Sequence, residues 1–220
     1  MTTDWVPVAR LLHACGTGIG TLLLVVLIFC LAGSGLWHRH PAFFFYLWAA
    51  FARVIQWAWG VSDTVYLWSE GAAMTLKALT ILEAFVALFP RRRVPTLGML
   101  LLLAGVLAGI TTLLPKEPNA VREFERWRQA AHIGLATFTT AGCAWLWCWP
   151  RPVSPYTLRY WRIWTFRLAC MAAAGFINYP SAQAGGMQWI GYYALAWSYL
   201  LSWWVATVLW IRWVRESTVR

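Results

Sequence analysis

Charge is what this sequence has least of. Ordinary soluble domains give roughly a quarter of their residues to Asp, Glu, Lys and Arg. Here the share is 12%, with eight acids against eighteen Lys plus Arg. Hydrophobic residues make up 60% of the 220, more than a water-soluble fold of this size has interior to hide. Most of these side chains are therefore expected to be solvated by lipid, or by neighbouring protein inside a membrane. Paired cysteines are missing too. Cys15, Cys30, Cys143, Cys148 and Cys170 fall singly inside apolar runs and form no C-x-x-C, which leaves them as small hydrophobes rather than metal or haem-attachment thiols. No H-E-x-x-H, nucleophile elbow or Walker sequence occurs, and the last apolar run has no lysine of the kind that carries retinal. Gly16-Thr17-Gly18-Ile19-Gly20 lacks the preceding strand of a dinucleotide loop, so Gly16 and Gly20, like Gly105 and Gly109, are expected to permit close helix contact. These absences point away from an enzyme.

What is present is a series of long apolar runs. A membrane-crossing helix needs roughly 20 mostly apolar residues. Seven stretches qualify, at about 11–36, 41–61, 65–89, 94–115, 128–149, 160–178 and 188–211. They are twice the length of a barrel strand and lack its alternating polarity. The expected fold class is an all-α, seven-helix transmembrane bundle, one domain over residues 1–220. The first run has no basic stretch before it and no small-residue cleavage site, so it reads as a retained helix. With sides alternating, Arg39, Arg91, Arg92, Arg93, Arg151, Arg159, Arg162, Arg212, Arg215 and Arg220 fall on one side. Arg10, Lys116, Arg122, Arg126 and Arg128 fall on the other. The excess of positive charge marks the cytoplasmic side, which puts the N-terminus outside and the C-terminus in the cytoplasm of a bacterial inner membrane. The net charge of +10 serves this topology; it is not gathered into a patch, so no nucleic-acid partner is expected. The eighteen tryptophans, many near run ends, suit the membrane–water interface. Asn119 is expected to cap a helix over 119–128, either an amphipathic lead-in on the outer surface or a plain extension into water.

Ionisable residues inside apolar runs are the functional pointers, because burying them is costly. There are five: Arg53, Glu70, Lys77, Glu83 and Arg167. At about 1.5 Å of rise per residue, Arg53 and Glu70 reach similar depths from the outer edge, and Glu83 and Arg167 similar depths from the inner one. Both are expected to pair, leaving Lys77 unmatched near the midplane. The set is expected to bind the bundle together, or else to line a polar cavity between spans two, three and six for a ligand, ion or proton. His13 and His132 lie near the outer ends of spans one and five, where two imidazoles could ligate a haem or chlorin from both sides. His38 and His40 flank Arg39 and read as part of the topology signal.

The stretch His40-Pro41-Ala42-Phe43-Phe44-Phe45-Tyr46-Leu47, then Tyr66-Leu67-Trp68-Ser69-Glu70 with Lys77 and Glu83, resembles small bacterial heptahelical membrane proteins of acidobacterial type. In these an aromatic-Trp-x-Ser-Glu-like element opens the third helix. The resemblance covers the first half of the chain and implies the seven-helix fold and weight on Glu70. The function expected from the sequence is a non-enzymatic membrane subunit that contacts lipids and other integral membrane subunits through its helices. Aromatic and small residues on nearly every span, with almost no soluble mass to carry chemistry, motivate that reading, and Trp189, Tyr192, Tyr193, Trp197, Tyr199, Trp203, Trp204, Trp210 and Trp213 surround span seven. A small-ligand sensor, a haem- or pigment-binding subunit and a transporter are the alternatives.

Overall fold

The structure, a computed structural model, describes residues 5–60, 62–89, 120–148, 153–181 and 188–218. Among the described residues all regular structure is helical: α1 Trp5–Gly33, α2 Pro41–Trp59, α3 Asp63–Leu88, α4 Ala120–Cys148, α5 Pro155–Ser181 and α6 Gln188–Thr218, with a 3-10 turn at Leu36–His38. Two stretches, Ala14–Gly33 and Asp63–Leu88, are long and apolar enough to cross a membrane. The other helices carry arginines and many tryptophans and tyrosines, whose polar tips lower their apolarity. The run at 94–115, Gly105, Gly109 and the cap residue Asn119 lie outside the described residues.

Local chemistry explains the helix ends. Gly35 takes φ 70° just beyond α1, and Gly60 takes φ 65° just beyond α2, the left-handed conformation that glycine adopts without steric cost. Ser34 Oγ donates to Leu31 O at 2.9 Å and accepts from Leu36 N–H at 3.3 Å, fixing the turn. Pro41 opens α2, where its missing N–H costs no helical bond. The helices outrun the apolar windows, because polar residues hold their outer turns. Arg126 pairs with Glu123, and Trp127 Nε1 donates to the same carboxylate at 3.1 Å. Both Arg159 and Arg212 bind Glu216. Residues 120–128 are thus the first turns of one continuous 29-residue helix rather than a separate element.

The helices close into a ring in chain order. Each packs on the next, α6 returns to α1, and α3 and α5 touch across the middle. At the closure, a Cβ on Gly16 would lie 3.2 Å from Leu200 Cδ1, and Trp204 Nε1 donates to Gly16 O at 3.2 Å. Gly20 faces Trp203 and Trp204 in the same way. The expected close contact at these glycines is what admits the tryptophans of α6.

Strand-of-contact order also gives directions. On α3 and α4, Glu70 meets Arg128, Lys77 meets His132 and Phe85 meets Phe138, so these helices run parallel. On α2 and α3, Arg53 meets Glu70 and Ala42 meets Glu83, which is antiparallel.

Aromatics fill the interior. Phe43, Tyr160, Trp161, Trp164, Trp210 and Trp213 are all essentially buried. Tyr160 stacks on Trp213 at 4.7 Å, and Trp164 meets Trp210 at 4.9 Å; such pairs contribute about 0.5–1.5 kcal/mol each beyond their burial. Trp161 Nε1 donates to Thr139 O at 3.1 Å, and Trp213 Nε1 to Tyr156 O at 3.1 Å. Of the aromatics expected on the surface of span seven, Trp210 and Trp213 instead point into the core, while Tyr199 is exposed and Trp203 and Trp204 are half-buried. The outside is apolar between two exposed tryptophan groups. Trp59, Trp68 and Trp127 stand at one end, Trp145 and Trp147 at the other, with Leu22, Phe29, Leu79, Val86 and Val205 exposed on the helix faces.

Gly142 offers a test of this packing. A Cβ there would lie 2.6 Å from Trp161 Cζ2, and the buried, hydrogen-bonded indole cannot swing away. Gly142→Ala is expected to lower stability by about 1–3 kcal/mol through overpacking, despite a helix-propensity gain of about 1 kcal/mol. Gly18→Ala, which meets nothing within 4 Å, is expected to be neutral or stabilising. Thermal unfolding in detergent compares them, and equal midpoints would contradict the packing at Trp161.

Candidate functional site

Glu70 lies two turns into α3 with its side chain 1% exposed. Its carboxylate takes an ion pair from Arg53 of α2 and a second from Arg128 of α4, at 3.1 Å. Arg128 also donates to Tyr66 Oη at 3.4 Å, one turn before Glu70. One carboxylate thus ties three helices. The depth matching of Arg53 with Glu70 works because α2 and α3 are adjacent and antiparallel. Arg128 escaped the sequence reading because, at the boundary of its apolar run, it was counted as a loop charge. Its spacing from the second charged residue of that helix turn gave no hint of direction.

Two turns deeper on α3, Lys77 Nζ donates to His132 Nε2 of α4 at 2.9 Å, with Met74 Sδ at 3.5 Å. It also lies 5.9 Å from the centre of the Tyr46 ring. Lys77 thus has a partner that the sequence did not supply, and His132 has its Nε2 engaged by an amine rather than open to a metal. His13 is on α1, its side chain outside what the structure describes. A two-histidine cofactor site would require α1 to face α4. The structure packs α1 on α2 and α6, and α4 on α3 and α5.

The other expected pair does not form. Glu83 accepts from His40 Nδ1 at 2.9 Å and from Ala42 N at 3.0 Å, so it caps the start of α2, where the helix dipole favours a carboxylate. His40, read as a topology residue, is instead 8% exposed, set against Tyr160 at 4.9 Å and Trp213 at 5.3 Å. Arg167 points from α5 to α6 rather than to α3. Its Nη1 donates to Ser202 Oγ and to Tyr199 O at 3.1 Å, and the guanidinium lies 4.3 Å from the Tyr199 ring and 5.3 Å from the Trp203 ring. Glu83 lies about one turn from the level of Arg167, and the two side chains face different helices.

The sum of these contacts is unequal. Arg53 and Arg128 share one carboxylate, Glu70, while Lys77 and Arg167 lie deeper, and Glu83 is committed to His40 and the start of α2. Among the described residues, Lys77 and Arg167 have no carboxylate partner, and Arg167 Nε makes no hydrogen bond. Both are buried, Lys77 at 4% and Arg167 at 2% exposure. Such an arrangement can hold an anionic or strongly polar guest, because a buried charge without its counter-charge is costly. Comparison with protein-family models, with curated proteins and with solved structures found no match.

Removing the shared carboxylate is the direct test of the three-helix tie. Glu70→Gln is expected to cost about 3 kcal/mol, since it strands two arginines. The double variant with Arg53→Gln should be less destabilised than the sum of the two single changes, by at least about 1 kcal/mol. Strict additivity in thermal or denaturant unfolding would mean that the Arg53–Glu70 pair carries no coupling.

Proposed function

We propose that the chain is a seven-crossing protein of a bacterial inner membrane, N-terminus outside and C-terminus cytoplasmic, that binds a small ligand at its polar centre. It acts as a receptor or sensor by binding, without catalysis of its own, and passes its output to a partner. Kinship with the small heptahelical proteins that residues 40–83 resemble is part of the same proposal.

Two features support the membrane placement. Trp127 and Trp147 lie twenty residues apart on α4, roughly 30 Å at about 1.5 Å per residue, which is the thickness of the hydrocarbon core. Trp59, Trp68 and Trp127 toward one end and Trp145 and Trp147 toward the other suit interfacial belts, while Trp48 is exposed between them on α2. Secondly, α3 and α4 run parallel, the relation that two spans have when one crossing, expected at 94–115, separates them in the chain.

The observation that carries the ligand reading is that Lys77 and Arg167 are both buried and, among the described residues, have no carboxylate partner. The subunit reading drew on aromatic and small residues on nearly every span; of those on span seven, Trp210 and Trp213 face inward and Tyr199 is exposed. The exposed Trp59, Trp68 and Trp147 keep it as a second reading, although an interfacial belt explains them equally.

Protein purified from native membranes in mild detergent and examined by native mass spectrometry is expected to carry one small-molecule adduct per chain. Lys77→Gln is expected to lose it. A stoichiometric protein partner with no small molecule would replace the receptor reading with the subunit one, and a visible absorption band that disappears in His132→Ala would favour a haem or chlorin.

A further inference from the structure

The polar residues in the middle of the bundle form one layer. Phe85 of α3 meets Trp161 of the antiparallel α5 at 6.1 Å. Six residues on along α5 sits Arg167, level with position 79 of α3 and so displaced from Lys77 by only about 3 Å along the axis. Lys77 is level with His132 of α4 and Tyr46 of α2, as their contacts show, and Arg167 is level with Ser202 of α6. Five helices thus bring an amine, an imidazole, a phenol, a guanidinium and a hydroxyl to one height. On α4, His132 lies five residues from Trp127 and fifteen from Trp147, so this layer sits inside the bundle toward the Trp127 end.

We infer that this layer, between Lys77 and Arg167, is a binding site for a small monovalent anion of halide size. The inference rests on the ligand reading above and names the ligand's class. Charge supplies the first argument. Glu70 is shared by Arg53 and Arg128 nearer one end, so it does not neutralise the layer, and an arginine stays protonated whatever its surroundings. Donor geometry supplies the second. Arg167 uses Nη1 on Ser202 and Tyr199 while Nε has no acceptor. Lys77 gives one N–H to His132 and, as ammonium or amine, keeps at least one more donor. Enclosure supplies the third and sets the size. Tyr46, Lys77, His132, Arg167 and Ser202 are each less than a tenth exposed, and Trp164 beside Tyr46 is fully buried. A guest with an organic body would have to be enclosed entirely, whereas a single halide accepts from donors converging in any direction and needs no planar match.

The test uses the whole protein in a nonionic detergent at constant ionic strength, with chloride exchanged for gluconate. Thermal unfolding is expected to shift upward with chloride, saturably, by roughly 5 °C at saturation. Bromide should substitute for chloride. Lys77→Gln and Arg167→Gln should each flatten the response. Should Arg167→Gln fail to fold, chloride-35 NMR line broadening on the wild type, displaced by bromide and absent in Lys77→Gln, decides the question. Equal midpoints in chloride and gluconate, or an undiminished response in Lys77→Gln, would overturn the anion site. A Lys77-dependent organic adduct together with no chloride effect removes the halide and leaves the ligand reading standing; no adduct and no chloride effect removes both.

Discussion

Everything in the centre of this bundle depends on how one carboxylate is shared. Glu70 is buried, and taking it and its partners out of water costs several kcal/mol per ion, which their attraction repays only when geometry and hydrogen bonding are good. Arg53 and Arg128 approach it from two different helices. That arrangement fixes α2, α3 and α4 at one height.

The same sharing leaves the next layer positive. With Glu70 engaged above and Glu83 engaged below by His40 and the start of α2, Lys77 and Arg167 are compensated only by dipoles and rings. His132, Ser202, a carbonyl and the faces of Tyr199 and Trp203 do that work. Cation–π contacts and neutral acceptors soften a buried charge without cancelling it. The aromatic core around Trp164, Trp210 and Trp213 raises the stakes, because it excludes water that would otherwise solvate these groups.

Helix content was legible in the sequence because length and apolarity are one-dimensional signals. Gly35, Gly60 and Pro41 punctuate the chain as glycine and proline should, while the polar outer turns, such as the one held by Arg159, Arg212 and Glu216, stay helical beyond any apolar window. In the site, depth arithmetic found Arg53 opposite Glu70 because neighbouring antiparallel helices convert sequence offset into height. It failed for Arg167 and Glu83, which lie about one turn apart in height and face different neighbours. The partnership of Lys77 with His132 joins residues 55 apart in sequence and depends on a parallel pairing that no local pattern announces. Trp210 and Trp213 looked like surface because tryptophan near a helix end usually is, and here the ring closure turns them inward.

The central claim is that the layer holding Lys77 and Arg167 is positive and takes its counter-charge from outside the chain. An anomalous-scattering map from crystals of the protein soaked in bromide tests it most directly. A bromide peak within about 3.5 Å of both Lys77 Nζ and Arg167 Nε, the range of a charge-assisted contact to a large anion, is the predicted result. A carboxylate of the chain itself seated between those two nitrogens, with no bromide there, would contradict it.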